Sequence, residues 1–533
     1  MKQTASLLSL LILFISSCSQ YVPPIGGKKD TLAPELVRST PANLSKNFRG
    51  RVIELYFNET IRVDNPVQKI LITPEAGSPF VPRIRPNSLR LVFDKPLRDS
   101  TTYTFSFADA IRDASENNPA SNLKLVFSTG PVLDSLRVGG KVIDLLTGEP
   151  VLNAVVGLYN PVDSLLPTKT KPFYFSRTDS SGNYSIENLR QGNYRLYAFD
   201  DRNQNLIYNA GVEKIAFLKQ DISVEKNVDT VNVALFPYYA TPPRVIRNEQ
   251  RASTYTLIFD RGLQDYSVSF PNAKDSVPSL LRTPAELTFF NVASTLDTIK
   301  TQLSVRDSLD NRADIKQNIR FRQRARRETE TPLEITTRPT RTEGVDRNAT
   351  LLFRFNKPIK EINRDSLQLF SDSLKTELLA DTALRFNAQR TELRLSRRVS
   401  ARQSIRVKLG KGAFVSILGD SSKAVLLTYP IRQADNFGVV LGTVNTKAEK
   451  FIIELIDEKY LVVDRKLNQK NYRFDFVTPG KYRLRVIIDS NGNGKWDGGD
   501  LTNRRLPEPV YHYGTEIRVK QNFEIGGTDV NAM

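Results

Sequence analysis

The run Ile53-Glu54-Leu55-Tyr56-Phe57-Asn58-Glu59-Thr60-Ile61 comes back late in the chain as Leu351-Leu352-Phe353-Arg354-Phe355-Asn356-Lys357-Pro358-Ile359. Both runs place apolar residues at every second position. A strand turns such residues to one face, whereas a helix would scatter them around its axis. Leu89-Arg90-Leu91 returns as Leu393-Arg394-Leu395, and Thr102 to Phe107 alternates in the same way. A closing strand at Leu123 to Phe127, preceded by the polar loop Asp109 to Asn118, finds its parallel in Ile405 to Leu409 and the loop Gly410 to Asp420. A weaker copy lies between them: Tyr255 to Phe259, Leu303-Ser304-Val305 with the loop Asp307 to Asp314, then Ile319-Arg320-Phe321. Short alternating strands with turn residues between them predict antiparallel sandwiches, three of this kind.

The segments APELVRSTPAN, IELYFNETI, LRLVFDKPL and YTFSFADAIRDASEN resemble the bacterial Ig-like domain of S-layer-protein type. The entry GGKKDTLAP is similar to the stretch that joins lipid to first domain in Ig-like-domain lipoproteins. Two further segments follow another plan. Gly140-Lys141-Val142-Ile143-Asp144, TGEPVLNAVVGLYN and RTDSSGNYSIENLRQGNYRLYAF resemble a CnaB-type, or carboxypeptidase-regulatory-like, β-sandwich. TPGKYRLRVIID near the C-terminus matches RQGNYRLYAFDD. Gly182-Asn183 and Gly192-Asn193 supply turns, and Tyr184 and Tyr194 are expected to point inward. Some relatives of this type carry an internal Lys–Asn crosslink. Lys141 sits in a first strand, but no partner is assigned to it.

The apolar run Leu10 to Ile15 follows Lys2 and ends at Ser16-Ser17-Cys18. It is too short to span a bilayer and reads as the core of a secretory signal. Ile15-Ser16-Ser17-Cys18 resembles a lipobox, which implies a diacylglyceryl group on Cys18, the chain's one cysteine. Residues 19–30 then form a Pro- and Gly-bearing tether reaching about 40 Å when extended. Ser19, rather than aspartate, after Cys18 favours the outer membrane, and no acidic run follows that would direct surface export. The periplasmic face is therefore expected. With one cysteine, the domains must be stable without disulfides.

The formal charge is +18. Export argues against nucleic acid as partner; anionic glycolipid, acidic proteins or plain solubility remain. The arginines look spread along the strands, which favours solubility. Arg320 to Arg327 is the densest basic stretch and reads as a solvated seam. One histidine, His512 between Tyr511 and Tyr513, leaves no His-based zinc site, and no G-x-S-x-G elbow accompanies it. His512 is expected in a strand beside aromatics.

The sharpest local signal is Asp489-Ser490-Asn491-Gly492-Asn493-Gly494-Lys495-Trp496-Asp497-Gly498-Gly499-Asp500. Oxygen donors at Asp489, Asn491, Asn493, Asp497 and Asp500, the Lys495 carbonyl and the central glycine match the spacing of a Ca²⁺ loop. A strand leads in where an EF-hand would have a helix. Simple Asn-Gly turn chemistry gives the same residues, so both readings stand. The counterpart at Asp201 to Asn209 has Leu206 in place of the glycine and Val212 in place of the last carboxylate.

These readings predict an all-β string of antiparallel β-sandwiches, three Ig-like and two CnaB/transthyretin-like. The seams at Pro131, Pro242-Pro243, Pro332 and Pro430 give 1–17 signal, 18–30 tether, 31–130 Ig-like, 131–240 CnaB-like, 241–330 Ig-like, 331–432 Ig-like and 433–533 CnaB-like. The expected role is non-enzymatic: an accessory subunit of an outer-membrane protein complex, with envelope or outer-membrane proteins as partners. A surface-displayed carbohydrate-binding or adhesin-type lipoprotein is the alternative.

Overall fold

The computed structural model describes residues 30–107, 109–120, 123–161, 167–239, 241–272, 274, 276–323, 331–341, 343–372, 374–375 and 383–533. Cys18, and the Arg324–Arg327 part of the basic stretch, lie outside the described residues. What is described is built from antiparallel sheets with a few helical turns, Pro66–Lys69 among them.

Alternation does the work that the sequence assigns to it. In Val52–Phe57 the side chains of Ile53, Leu55 and Phe57 are buried while their neighbours face outward. Ile53 pairs with Leu91 and Leu55 with Leu89, so inward residues meet inward residues. The first sheet runs Leu36–Thr40, Val52–Phe57, Ser88–Phe93, Phe80–Arg85, and it packs on Leu71–Thr73, Thr102–Ser106 and Lys124–Ser128. The later copy repeats that order as Ile335–Arg338, Asn348–Phe355, Glu392–Arg398, Leu384–Phe386. Even the turn after the repeated strand is shared. Asn58 accepts from the Glu35 amide and Asn356 from the Glu334 amide, both at 2.9 Å. The middle copy keeps the order with Val245–Gln250, Thr254–Phe259, Glu286–Phe290 and Ser279–Thr283.

The other two sandwiches share a different signature, a first strand lying parallel to a late one. Leu136–Asp144 pairs antiparallel with Asn183–Leu189 and parallel with Val233–Pro237. Gly438–Asn445 pairs antiparallel with Asn471–Val477 and parallel with Glu524–Ile525. Tyr184 and Tyr194 are buried as expected, and their hydroxyls donate to the Val231 and Arg190 carbonyls at 2.8 and 2.7 Å. Tyr472 and Tyr482 repeat both contacts, on the carbonyls of Thr528 and Thr478.

This doubling explains one glycine in each module. A Cβ on Gly442 would lie 2.6 Å from the Tyr472 hydroxyl and 2.8 Å from the Thr528 carbonyl oxygen. At the equivalent Gly140 it would run into the Val231 carbonyl. Gly442→Ala is expected to destabilise the last sandwich by about 1–3 kcal/mol through overpacking. Hydrogen exchange at Asn471–Val477 reads this locally, since a chain with several cores has no single unfolding free energy. Unchanged protection there would show that the crossing has slack.

Candidate functional site

The strand Gly480–Ile488 ends at Asp489, whose buried carboxylate accepts from the Asn493 amide at 3.0 Å and the Gly494 amide at 2.8 Å. Asn491 and Asn493 accept in turn from the amides of Asn493 and Lys495, at 3.0 and 2.9 Å. Gly492 and Gly494 take φ of 72° and 77°, a region that favours glycine. Asp497 receives the carboxamide N–H groups of both Asn491 and Asn493. Asp489, Asn491, Asn493 and Asp497 are therefore brought together. The Lys495 ammonium reaches out to Gln264 at 3.4 Å.

Asp500 is not part of this cluster. It accepts from the Thr502 amide at 2.9 Å and the Asn503 carboxamide at 2.6 Å, holding the next turn instead. Glu508 faces the loop in its stead, accepting from the Ser490 amide at 2.6 Å and the Asp497 amide at 3.0 Å. Burial, and then the charges of Asp497 and Asp489, push its carboxyl above the usual range. Glu508 escapes a reading of the sequence because it stands beyond the twelve-residue window. Among the described residues, no three His, Cys, Asp or Glu side chains group in a way that would hold a metal ion.

The counterpart loop is built alike. Asp201 accepts from the Asn205 amide at 3.0 Å, and Glu213 from the Arg202 and Asn209 amides at 3.0 and 2.8 Å. Here a guanidinium answers the charge, with Arg177 at 2.7 Å from Asp201. In the last sandwich Arg465 bonds instead to Glu454 and to the Gly494 carbonyl.

What the loop leads into is a clasp. Trp496, Leu501 and Val510 lie on an outward face of the second sandwich made of Val155, Tyr159, Tyr197, Phe199, Phe217 and Phe236. Leu501 is 2% exposed. Gly499 sits so close that a Cβ would fall 2.7 Å from the Phe236 ring. Around this apolar patch run polar ties. The Arg504 guanidinium donates to the Leu218 carbonyl at 2.8 Å and pairs with Asp221 at 2.9 Å. The Arg485 guanidinium donates to the Leu146 carbonyl at 2.6 Å while pairing with the buried Glu454. Arg483 pairs with Glu149, which also accepts from the Tyr460 hydroxyl at 3.1 Å. Burying so many aromatic rings is worth several kcal/mol, beyond what exposed ion pairs supply.

His512 belongs to this clasp. It stands in the strand Val510–His512, its ring against Gly148 and its Nε2 2.9 Å from the Leu145 carbonyl oxygen. Tyr511 and Tyr513 reach the Met533 and Gly527 carbonyls and pack on the last core.

Residues 30–129 match the bacterial Ig-like domain. A comparison with curated proteins finds no match. Among solved structures, the chain is similar to the Bacillus anthracis TIE protein, at 10% identity over 95% of this chain and 75% of that one, with a TM-score of 0.13. It is similar to BcpA, the major pilin subunit of Bacillus cereus, at 10% identity over 75% of this chain and 100% of that one, TM-score 0.13. It is also similar to dimeric latent PorU from Porphyromonas gingivalis, at 10% identity over 72% of this chain and 46% of that one, TM-score 0.22. Scores this low leave function to be read from the residues themselves.

Burial, with the positive charges of Arg485 and Arg483, holds the His512 imidazole below its usual value, against the Leu145 hydrogen bond and the Asp144 charge. A group whose folded value is lowered stabilises the fold above the ordinary imidazole range, and that contribution is lost as pH falls from there toward the folded value. The clasp is therefore expected to loosen on acidification below about pH 6.5. Hydrogen exchange at residues 145–149 and 496–512, corrected for intrinsic rates, should fall in protection between pH 7.5 and 5.5. His512→Gln should flatten that dependence, and an equal slope in the variant would assign it to other groups.

Proposed function

We propose that this chain is a non-enzymatic cell-envelope lipoprotein, held by lipid on Cys18 at the periplasmic face of the outer membrane, whose sandwiches serve as an accessory subunit of an outer-membrane protein complex. The observation that supports the reading is where the chain's chemistry is placed. Its one imidazole and the carboxylates of its sharpest motif lie in or beside a contact that fixes one sandwich on another. Such a body holds a recognition surface at a set distance from a bilayer. Its partners are envelope or outer-membrane proteins met through exposed faces and strand edges.

Cys18→Ser is expected to move the protein from the carbonate-washed membrane fraction into the soluble one, because the acyl chains supply about 0.8 kcal/mol per buried CH₂. A variant still found in washed membranes would place the anchor elsewhere. Protease shaving of whole cells separates the leading role from the alternative: a periplasmic subunit is protected, whereas a surface-displayed carbohydrate binder or adhesin is cut.

Ca²⁺ at the 489–500 loop belongs to this proposal as a stiffener of the clasp. In its favour, Asp489 and Glu508 are both buried, and among the described residues no cation pairs with them as Arg177 pairs with Asp201. The ligands would be the carboxylates of Asp489 and Asp497, the Asn491 and Asn493 side-chain oxygens and the Lys495 carbonyl. Calorimetry is expected to show binding in the millimolar range of exported modules, abolished by Asp489→Ala. No heat at excess Ca²⁺ leaves the loop as turn chemistry.

A further inference from the structure

The arginines are less evenly spread than the strands suggest. In the fourth sandwich, Arg338, Leu352, Arg394 and Arg385 form one row across four strands, by the pairings Arg338 with Leu352, Leu352 with Arg394, and Arg394 with Arg385. The three arginines are exposed, as is Arg398 farther along the same strand as Arg394. Only one carboxylate occurs in these strands, Glu392, and it is taken by Arg354 at 2.7 Å. Among the described residues, none forms an ion pair with Arg338, Arg385, Arg394 or Arg398. Two like charges directly opposite on neighbouring strands are destabilising.

The first sandwich shows the same row with its charge answered. Arg83 pairs with Arg90 across strands as Arg385 pairs with Arg394. Beside Arg90 stands Glu54, with an ion-pair distance of 2.6 Å. In the repeated strand, Leu352 occupies the place of Glu54. Among the described residues, the fourth sandwich thus keeps the cations and lacks the anion that the first one supplies.

We propose that this sheet face binds an acidic polysaccharide, whose charged groups take the place of the missing carboxylate. Neighbouring strands lie about 4.8 Å apart, so Arg385 and Arg394 present charges about one strand spacing apart and Arg338 stands two strands beyond. That is a straight line of forked donors, suited to carboxylate, sulfate or phosphate groups on an extended chain. On the same face, in the rows beside it, stand Thr336, Thr350, Ser396 and Asn348, polar groups that hydrogen-bond an oxygen-rich polymer; the Thr350 and Ser396 hydroxyls already face each other at 3.4 Å. A bilayer-seeking face would carry exposed aromatic or aliphatic groups. Here the one large apolar residue of the row, Leu352, is half-buried. This inference rests on the reading of the chain as a binding body but not on the lipid at Cys18.

The test uses the full chain in neutral detergent, with fluorescent heparin and polygalacturonate as probes and dextran as neutral control, at about 0.15 M salt. Replacing Arg338, Arg385 and Arg394 by glutamine together should weaken binding of the acidic glycans at least about tenfold and flatten its salt dependence. The same charge change at the exposed Arg247, Arg312 and Arg402 should alter it less than about twofold. Leu352→Glu, which copies the Glu54 arrangement, should weaken binding while raising hydrogen-exchange protection along Asn348–Phe355, and it serves if the triple variant misfolds. Equal loss in both triples, or no binding by the wild type, overturns the proposal. So does stronger competition by poly-glutamate or by phosphatidylglycerol vesicles, which would point to an acidic protein or a membrane. Cys18→Ser should leave glycan binding unchanged, so failure of the anchor and failure of this site are told apart.

Discussion

The arrangement of the sandwiches depends on one apolar contact, the laying of Trp496, Leu501 and Val510 onto the outer aromatic face of the second sandwich. Without it the aromatic face would lose the cover that Gly499, Leu501 and Trp496 lay over Phe236 and its neighbours. With it, the fifth sandwich is fixed to the second, and the third is drawn in through Leu309 and Gln264 beside Gly498 and Lys495. The polar ties at the rim, Arg504, Arg485, Arg483 and His512, set register more than strength. The acidic loop has a structural duty here whether or not it takes a metal, because its turn aims the following segment at the aromatic face.

The strand content was legible because half-buried strands must alternate, and Ile53-Leu55-Phe57 and Leu351-Phe353-Phe355 do so, whereas the second sandwich plan rested on the resemblance of TGEPVLNAVVGLYN and the segments after it. The inward tyrosines, Tyr184 and Tyr194, followed from turn chemistry and the strand period. The clasp was not legible from motifs, since its members come from sequence-distant segments. One signal was there: Val155–Tyr159 and Phe451–Asp457 read as near-continuous apolar runs, and such a strand is covered on both faces. Glu508 was hidden for a different reason. Its approach to Asp497 depends on the chain returning past Trp496, whose indole N–H donates to the Glu508 carbonyl at 3.0 Å.

Charge follows the same lesson. A total of +18 says little about where cations gather, and strand by strand the arginines look dispersed. Strand pairing decides the matter, because residues far apart in sequence become neighbours across a ladder. Arg338, Arg385 and Arg394 come from three separate strands, and their row exists only once the register is known.

Hydrogen bonds of the clasp join residues 286 to 367 positions apart. Synthesis runs from the N-terminus, and domains fold in that order. The second sandwich therefore emerges and folds before the segment that covers Phe236 exists, and that part of its flank stays uncovered until the last module is made. During that interval the nascent chain has its greatest affinity for holdase chaperones and for other copies of itself. A prematurely terminated product never leaves that state.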